Sequence, residues 1–227
     1  MEKVTYLCNS CKDTKHVFKE GVWKRCSCLL ADIEQKKQVV AGISIPADQL
    51  NLKEINIRFS YSPVGGIALS ILVDIEKSLK AGRLPIRRAC IQGIPVGPRE
   101  VVVQTLLKAG VDAGFKVVQY SMEELISKHF KGSNDQENDL ENDFKKCNIL
   151  SIYFGSEIQF RVGGSFLEDC VRLSYKHDVY LLLSTGLSFD GLKLKYDESI
   201  EKLFLRIGLP TGIEDKRVVF IPLEKCK

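Results

Sequence analysis

No stretch of this chain stays apolar over anything near the ~20 residues that a bilayer crossing requires. Its N-terminus, MEKVTYLCNSCKD, lacks the basic-then-apolar layout of a secretion signal, so a cytosolic location is expected. An excess of charge is also missing. With 33 basic against 29 acidic residues the net charge is only +4, and the Lys and Arg residues are spread evenly, so electrostatics alone give no argument for a nucleic-acid partner. There are no internal repeats, which removes solenoids and propellers. What is present is an ordinary folding composition, 44% hydrophobic and 27% charged. A chain of 227 residues suffices for one full core with a small appendage.

The cysteines divide into two groups. Cys8, Cys11, Cys26 and Cys28 crowd into the first 28 residues, whereas Cys90, Cys147, Cys170 and Cys226 stand alone and read as small buried hydrophobes. In a reducing compartment the clustered four point to metal rather than to disulfides. A Cys-x2-Cys turn lets two sulfurs converge on one ion, and Cys26-x-Cys28 supplies the other pair, completing the four soft ligands of a structural Zn2+ site. His16 is a substitute ligand in principle, but the thiolates already fill the shell. With no open position for water, such an ion holds structure and performs no catalysis. Phe18 and Trp23, between the cysteine pairs, are expected to divide between packing and a partner-facing role.

Beyond a connecting helix around Leu29–Val40, the stretch Gly42–Ser62, broken by Pro46, reads as an arm on the main body. A helix is expected at Ile67–Ala81, with Ile71, Ile75 and Leu79 four apart. Elements then alternate: strand Arg88–Gln92, helix Arg99–Ala113, strand Phe115–Tyr120, helix Met122–Phe130 opened by a Ser121/Glu124 capping box, strand Asn148–Phe154, helix Phe166–Lys176, strand Val179–Ser184, a helical stretch around Glu198–Ile207 and strand Arg217–Ile221. The acidic run between Ser133 and Asp143 is expected to be a solvated loop. Strands separated by helices of this length specify a three-layer α/β fold with a mainly parallel sheet. The expected division is a zinc module with its connecting helix at 1–42 and the α/β body at 43–227.

Strand, Gly-rich turn and helix is also the frame of the phosphate loop G-x-x-x-x-G-K-[ST], in which backbone amides cradle phosphate, the Lys neutralises it and the hydroxyl holds Mg2+. Here the frame runs from Gly93 to Glu100 and includes Gly97. Pro98, which has no N–H, stands at the second glycine. Arg99 replaces the lysine, and its broad fork does not fill the space of an ammonium. Glu100 replaces the hydroxyl and sets a carboxylate against a triphosphate. Tyr153 and Phe154 end the strand where such enzymes carry the acidic residues that hold Mg2+ and polarise water. Gly93–Glu100 reads equally as a plain βα turn of an unrelated α/β fold.

The order of these features resembles the bacterial and phage replicative-helicase loaders, the DnaC/DnaI type of AAA+ ATPases, over nearly the whole chain. The resemblance rests on the cysteine segments CNSCKDT and CSCLL, on Gly42-Ile43-Ser44-Ile45-Pro46, on Phe115–Ile126, and on Leu181-Leu182-Leu183-Ser184-Thr185-Gly186 followed by Leu187–Leu192 at the sensor strand. It implies an AAA+-like P-loop body, a replicative helicase as partner of the zinc-bearing part, and association of the body with neighbouring copies or single-stranded DNA. It implies ATP and Mg2+ at Gly93, Gly97, Pro98, Arg99 and Glu100, where this sequence departs from the motif. Gly186 replaces the family's sensor asparagine, and Arg206 matches a helical arginine of the family. The expectation is a loader-like adaptor in DNA replication that does not hydrolyse ATP. The alternatives are an active loader with an atypical loop, and a zinc-containing protein that binds DNA or inhibits a helicase.

Overall fold

The structure is a computed structural model and describes residues 7–46, 49–50, 52, 63–93, 96–131, 136–155, 163–197, 199–207 and 216–223. Most of the expected arm, Cys226 and Glu198 lie outside the described residues. So do Ile94 and Pro95 of the candidate loop and Ser133–Asp135 of the acidic run.

Between the two cysteine pairs the chain forms a hairpin, β1 (His16–Lys19) and β2 (Val22–Arg25), paired antiparallel. Its two-residue turn puts both Glu20 (φ 57°) and Gly21 (φ 78°) in the left-handed region, as a type I′ turn requires. This ordered ribbon was not expected from residues 1–30, whose pattern is too short to announce two strands of four residues. Helix α1 (Ser27–Val40) starts directly after Cys26. It ends in a Schellman turn, with the amides of Gly42 and Ile43 donating to the carbonyls of Val39 and Gln38. Gly42 takes φ +70° there, and a Cβ would run into the Gln119 side chain, so this glycine both ends the helix and lets it sit against the body.

The body begins with α2 (Pro63–Lys80), whose buried residues Ala68, Leu72, Ile75 and Leu79 follow helical spacing. Then come β3 (Ala89–Gly93), α3 (Val96–Asp112), β4 (Val117–Ser121), α4 (Met122–Lys131), α5 (Gln136–Lys145), β5 (Ile149–Phe154), α6 (Gly163–Lys176), β6 (Tyr180–Thr185), α7 (Phe189–Tyr196), α8 (Ile200–Leu203), β7 (Phe204–Arg206) and β8 (Val218–Leu223). Six strands make one sheet in the order β4-β5-β6-β3-β8-β7, and each neighbouring pair is parallel. Side chains alternate across it. Ala89, Ile91 and Leu182 face a cluster with Leu72, Leu79, Val102 and Leu106 of α2 and α3, while Cys90, Leu150 and Ile152 face Met122, Phe144, Phe166 and Tyr196 on the other side. The expected three-layer α/β architecture is therefore the one present. Cys90, Cys147 and Cys170 are buried in its core, and burial pushes the Cys147 thiol up to about 12.

Two expectations are corrected. The acidic run is helical at α5, with Leu140 and Phe144 buried and Asp143 paired with Lys128 at 2.7 Å. Three residues, Leu140, Asp143 and Phe144, at spacings of three and four supply the inward stripe. The stretch around Glu198–Ile207 is mostly not helix: only Ile200–Leu203 is, and Phe204–Arg206 extends the sheet edge. Phe204 and Leu205 fill opposite faces, which a strand allows, and the Arg206 guanidinium lies over the Phe189 ring at 4.2 Å. The Ser121/Glu124 capping box forms as expected, with reciprocal bonds of 2.7 and 3.1 Å.

Two contacts without a local sequence signature hold these parts. Gln104, 2% exposed in α3, accepts from the amides of Ser44 and Ile45 and donates to Ser44 Oγ, docking the start of the arm sixty positions away. Gln104→Leu leaves those amides without an acceptor, so a loss of about 2 kcal/mol and faster proteolysis within 42–52 are expected. Gln104→Glu, which keeps the acceptor, should release the arm less. Glu141 of α5 meets Lys145, Lys176 and His177. Its lysine partners, Lys176 first, hold its carboxyl down to about 2 against an ordinary 4.5. This contribution is complete above pH 4.5 and disappears as pH falls towards 2. An acid titration of Glu141→Gln should therefore show a shallower loss of stability across that window than the parent.

Candidate functional site

Parallel α/β sheets offer a crevice where adjacent strands send their connections to opposite faces, at the carboxyl ends of the strands. In this sheet that point lies between β3 and β6. From β3 the chain crosses over the α2/α3 face to β4 at the sheet's edge; from β6 it crosses the other face through α7 and α8 towards β8. The residues gathered here are Gly93, Arg99, Tyr153, Ser184, Thr185 and Gly186.

Helix α3 begins at Val96, so the connection from β3 is two residues long, against the four that separate the glycines of a phosphate loop. Gly97 and Pro98 belong to the first helical turn, where a missing proline N–H costs nothing. Arg99, the residue at the lysine position, is 4% exposed and turns into the crevice. Its Nη1 donates to the Gly93 carbonyl at 3.2 Å, and its guanidinium lies 4.9 Å from the centre of the Tyr153 ring. A Cβ on Gly186 would come within 3.0 Å of Nη1, so the lack of a side chain at that position makes room for the arginine. Among the described residues Arg99 has no carboxylate partner. The ring face and the carbonyl are what receive its charge.

Glu100 is exposed and accepts from Gln104 Nε2 at 3.3 Å. Phe154 points to the opposite face, buried among Tyr196 and Phe204. Thr185 turns its hydroxyl to the Leu187 amide at 3.1 Å. Beside Arg99 opens a cleft of about 510 Å³ lined by Gly42, Glu100, Gln119, Ser121, Glu124 and Tyr153, among others. The arm and the end of α1 thus form one wall. Gln104 and Gly42 could have been suspected from sequence only as a polar residue inside VVVQTLL and a glycine after a helix.

The second site is the cysteine cluster. Cys8 and Cys11 come from the turn before β1, Cys26 follows β2, and Cys28 lies in the first turn of α1. Their four sulfurs lie within 4.8 Å of one another, with Cys8–Cys26 at 3.8 Å and Cys11–Cys28 at 3.5 Å. Thiolates around one tetrahedral Zn2+, each at ~2.3 Å, would be about 3.8 Å apart. Backbone N–H groups, that of Cys28 first, hold Cys26 down to about 6, and the Cys11 amide lowers Cys8. Burial and the neighbouring thiols push Cys28 up to about 12. Four sulfurs this close cannot all ionise unless a cation sits among them, so the donor set fits a divalent metal. His16 is outside the cluster, its Nδ1 3.3 Å from the Thr14 carbonyl. Phe18 and Trp23 do not divide between packing and surface: both are exposed, their ring centres 5.3 Å apart.

No family model matches the sequence, and no curated protein does either. Solved structures do. The crystal structure of the DnaC helicase loader matches with a TM-score of 0.50 at 12% identity, covering 72% of this chain and 92% of that one. The crystal structure of DnaI matches with a TM-score of 0.51 at 13% identity, covering 79% and 95%. The chain shares the fold of these two structures, a six-stranded parallel sheet flanked by helices, with a four-cysteine cluster before it. No helix among the described residues is long and apolar enough to cross a membrane.

Proposed function

We propose that this loader-type chain acts in DNA replication as an adaptor for a replicative helicase and does so without hydrolysing ATP. The observation that carries the reading is Arg99. Where an ATPase needs a lysine reaching up to phosphate, this chain has an arginine folded down between β3 and β6, satisfied by Gly93 and Tyr153. Phosphoryl transfer depends almost wholly on positioning and on electrostatic stabilisation by cations and Mg2+. At the strand end beside this arginine stand a tyrosine and a phenylalanine, neither of which ligates Mg2+. Glu100, in place of the hydroxyl, would repel a triphosphate.

In this reading Cys8, Cys11, Cys26 and Cys28 hold one structural Zn2+, and residues 1–42 form the part that meets the helicase. Zinc would supply cross-linking of the module and no chemistry, because four protein sulfurs leave it no open position. The body, 43–227, keeps the AAA+ frame as a scaffold. The Gln104 clamp and Gly42 support a fixed relation between the two, since they seat the end of α1 and the start of the arm on α3 and β4. Co-purification of the zinc-loaded full chain with a replicative helicase tests the partner. The complex is expected to form equally with and without ATP, and absence of any complex contradicts the reading.

A further inference from the structure

Two close contacts run through the cysteine cluster and between them use every sulfur once. Cys8 lies 3.8 Å from Cys26, and Cys11 lies 3.5 Å from Cys28. Each contact joins the turn before β1 to the chain just beyond β2, across 18 and 17 positions. Each also joins an accessible sulfur to a hidden one: Cys8 and Cys28 are half-buried, whereas Cys26 and Cys11 are buried. Cys90, Cys147 and Cys170 stand singly inside the α/β body, buried and away from any second sulfur. Among the described cysteines, a reagent arriving from solvent therefore meets the N-terminal cluster first.

We propose that this cluster is a redox switch, in which a hydroperoxide expels the metal and joins Cys8 to Cys26 and Cys11 to Cys28 as two disulfides. The switch rests on the reading of the cluster as a zinc site, and not on the helicase partner. A sulfur held on zinc stays a thiolate, the nucleophilic form. The accessible Cys8 thiolate attacks the outer oxygen of the hydroperoxide. The O–O bond breaks, the sulfur becomes a sulfenic acid, and the alkoxide leaves and takes a proton from solvent as the alcohol. Cys26, already in contact, attacks the Cys8 sulfur; the S–S bond forms, the S–O bond breaks, and hydroxide leaves to become water. Cys28 and its buried partner Cys11 repeat both steps with a second hydroperoxide. Four thiolates, two hydroperoxides and four protons thus give two disulfides, two alcohols, two waters and a freed Zn2+. The sulfurs lose four electrons and the two O–O bonds accept them.

The pairing of an open sulfur with a shielded one makes the reaction stop at disulfide. The sulfenic acid is captured by a neighbour in contact before a second oxidant arrives, and the neighbour is itself screened from the oxidant. A disulfide sets its sulfurs about 2.05 Å apart, so each pair has to close by less than about 2 Å. The new bonds then tie the same ends of the ribbon that the metal tied. The oxidised module keeps its β1–β2 ribbon without zinc, which the reduced, metal-free module does not.

The experiment starts from the zinc-loaded full chain, its metal content measured first. It is treated with tert-butyl hydroperoxide beside a chromophoric chelator too weak to strip the untreated protein. One zinc per chain should be released as four of the eight thiols disappear. Peptide mapping without reductant should show Cys8 joined to Cys26 and Cys11 to Cys28, and amide signals of β1 and β2 should persist. Dithiothreitol with added zinc should restore both the four thiols and the metal. Zinc retained under peroxide, sulfinic or sulfonic acids in place of disulfides, other cysteine pairs, or collapse of the ribbon signals on oxidation each overturns the switch alone. A chain that carries no zinc at the outset overturns the metal reading and the switch with it.

Discussion

Removal of the metal is expected to unfold the N-terminal module and leave the α/β body standing. Between Leu7 and Val39 the only fully buried hydrophobic residues among those described are Cys11 and Cys26. The β1–β2 ribbon exposes its side chains on both faces apart from the half-buried Val17, and a two-stranded ribbon of this size is not stable alone in water. What remains is the cluster. Metal binding to a structural four-ligand site is worth about 10–16 kcal/mol, and for so small a unit binding energy is folding energy. A chelator should release one zinc per chain, and Cys26→Ser should never acquire it. In both cases amide signals of β1, β2 and the start of α1 should collapse while those of the six-stranded sheet persist. A chain that keeps its ribbon after chelation would contradict the metal's role.

Replacing Arg99 by alanine should cost about 2–4 kcal/mol, read as a lower midpoint in thermal unfolding. The figure has three parts. The guanidinium's bond to Gly93 is lost, its stacking on Tyr153 is lost, and a void opens beside Gly186. Arg99→Lys should fall between, because an ammonium keeps the charge but lacks the flat fork that lies over a ring. An arginine waiting for a ligand behaves otherwise. Its removal from the free protein would be neutral or stabilising, since an idle buried cation is a burden to the fold.

These two effects concern residues that are visible in the sequence, and the comparison with the remaining contacts shows where sequence reading stops. Helices α2, α3 and α6 and the strands between them were legible because their buried positions repeat at fixed spacing and each strand is a short apolar run ended by a turn. The cysteine spacing and the missing lysine, hydroxyl and acids were legible because chemistry restricts which residue types serve there. The ribbon was not, because four-residue strands carry no period. Helix α5 was hidden by its high charge, since two apolar residues and one paired aspartate suffice for its buried stripe. The helical reading of Arg206 failed because Phe204 and Leu205 fit either a helix or a strand, and only the exposed edge beside β8 decided between them. The direction of Arg99 was the least accessible. Sequence places the cation at the loop, but only the short connection to α3, the bare Gly186 and the Tyr153 ring turn it downwards.

The direct test of the account is calorimetry of the zinc-loaded full chain with ATP and Mg2+, paired with Arg99→Ala. The account predicts no binding heat in either protein at micromolar nucleotide and no phosphate release. Micromolar binding with turnover in the parent, abolished by Arg99→Ala at a temperature where that variant remains folded, would contradict it.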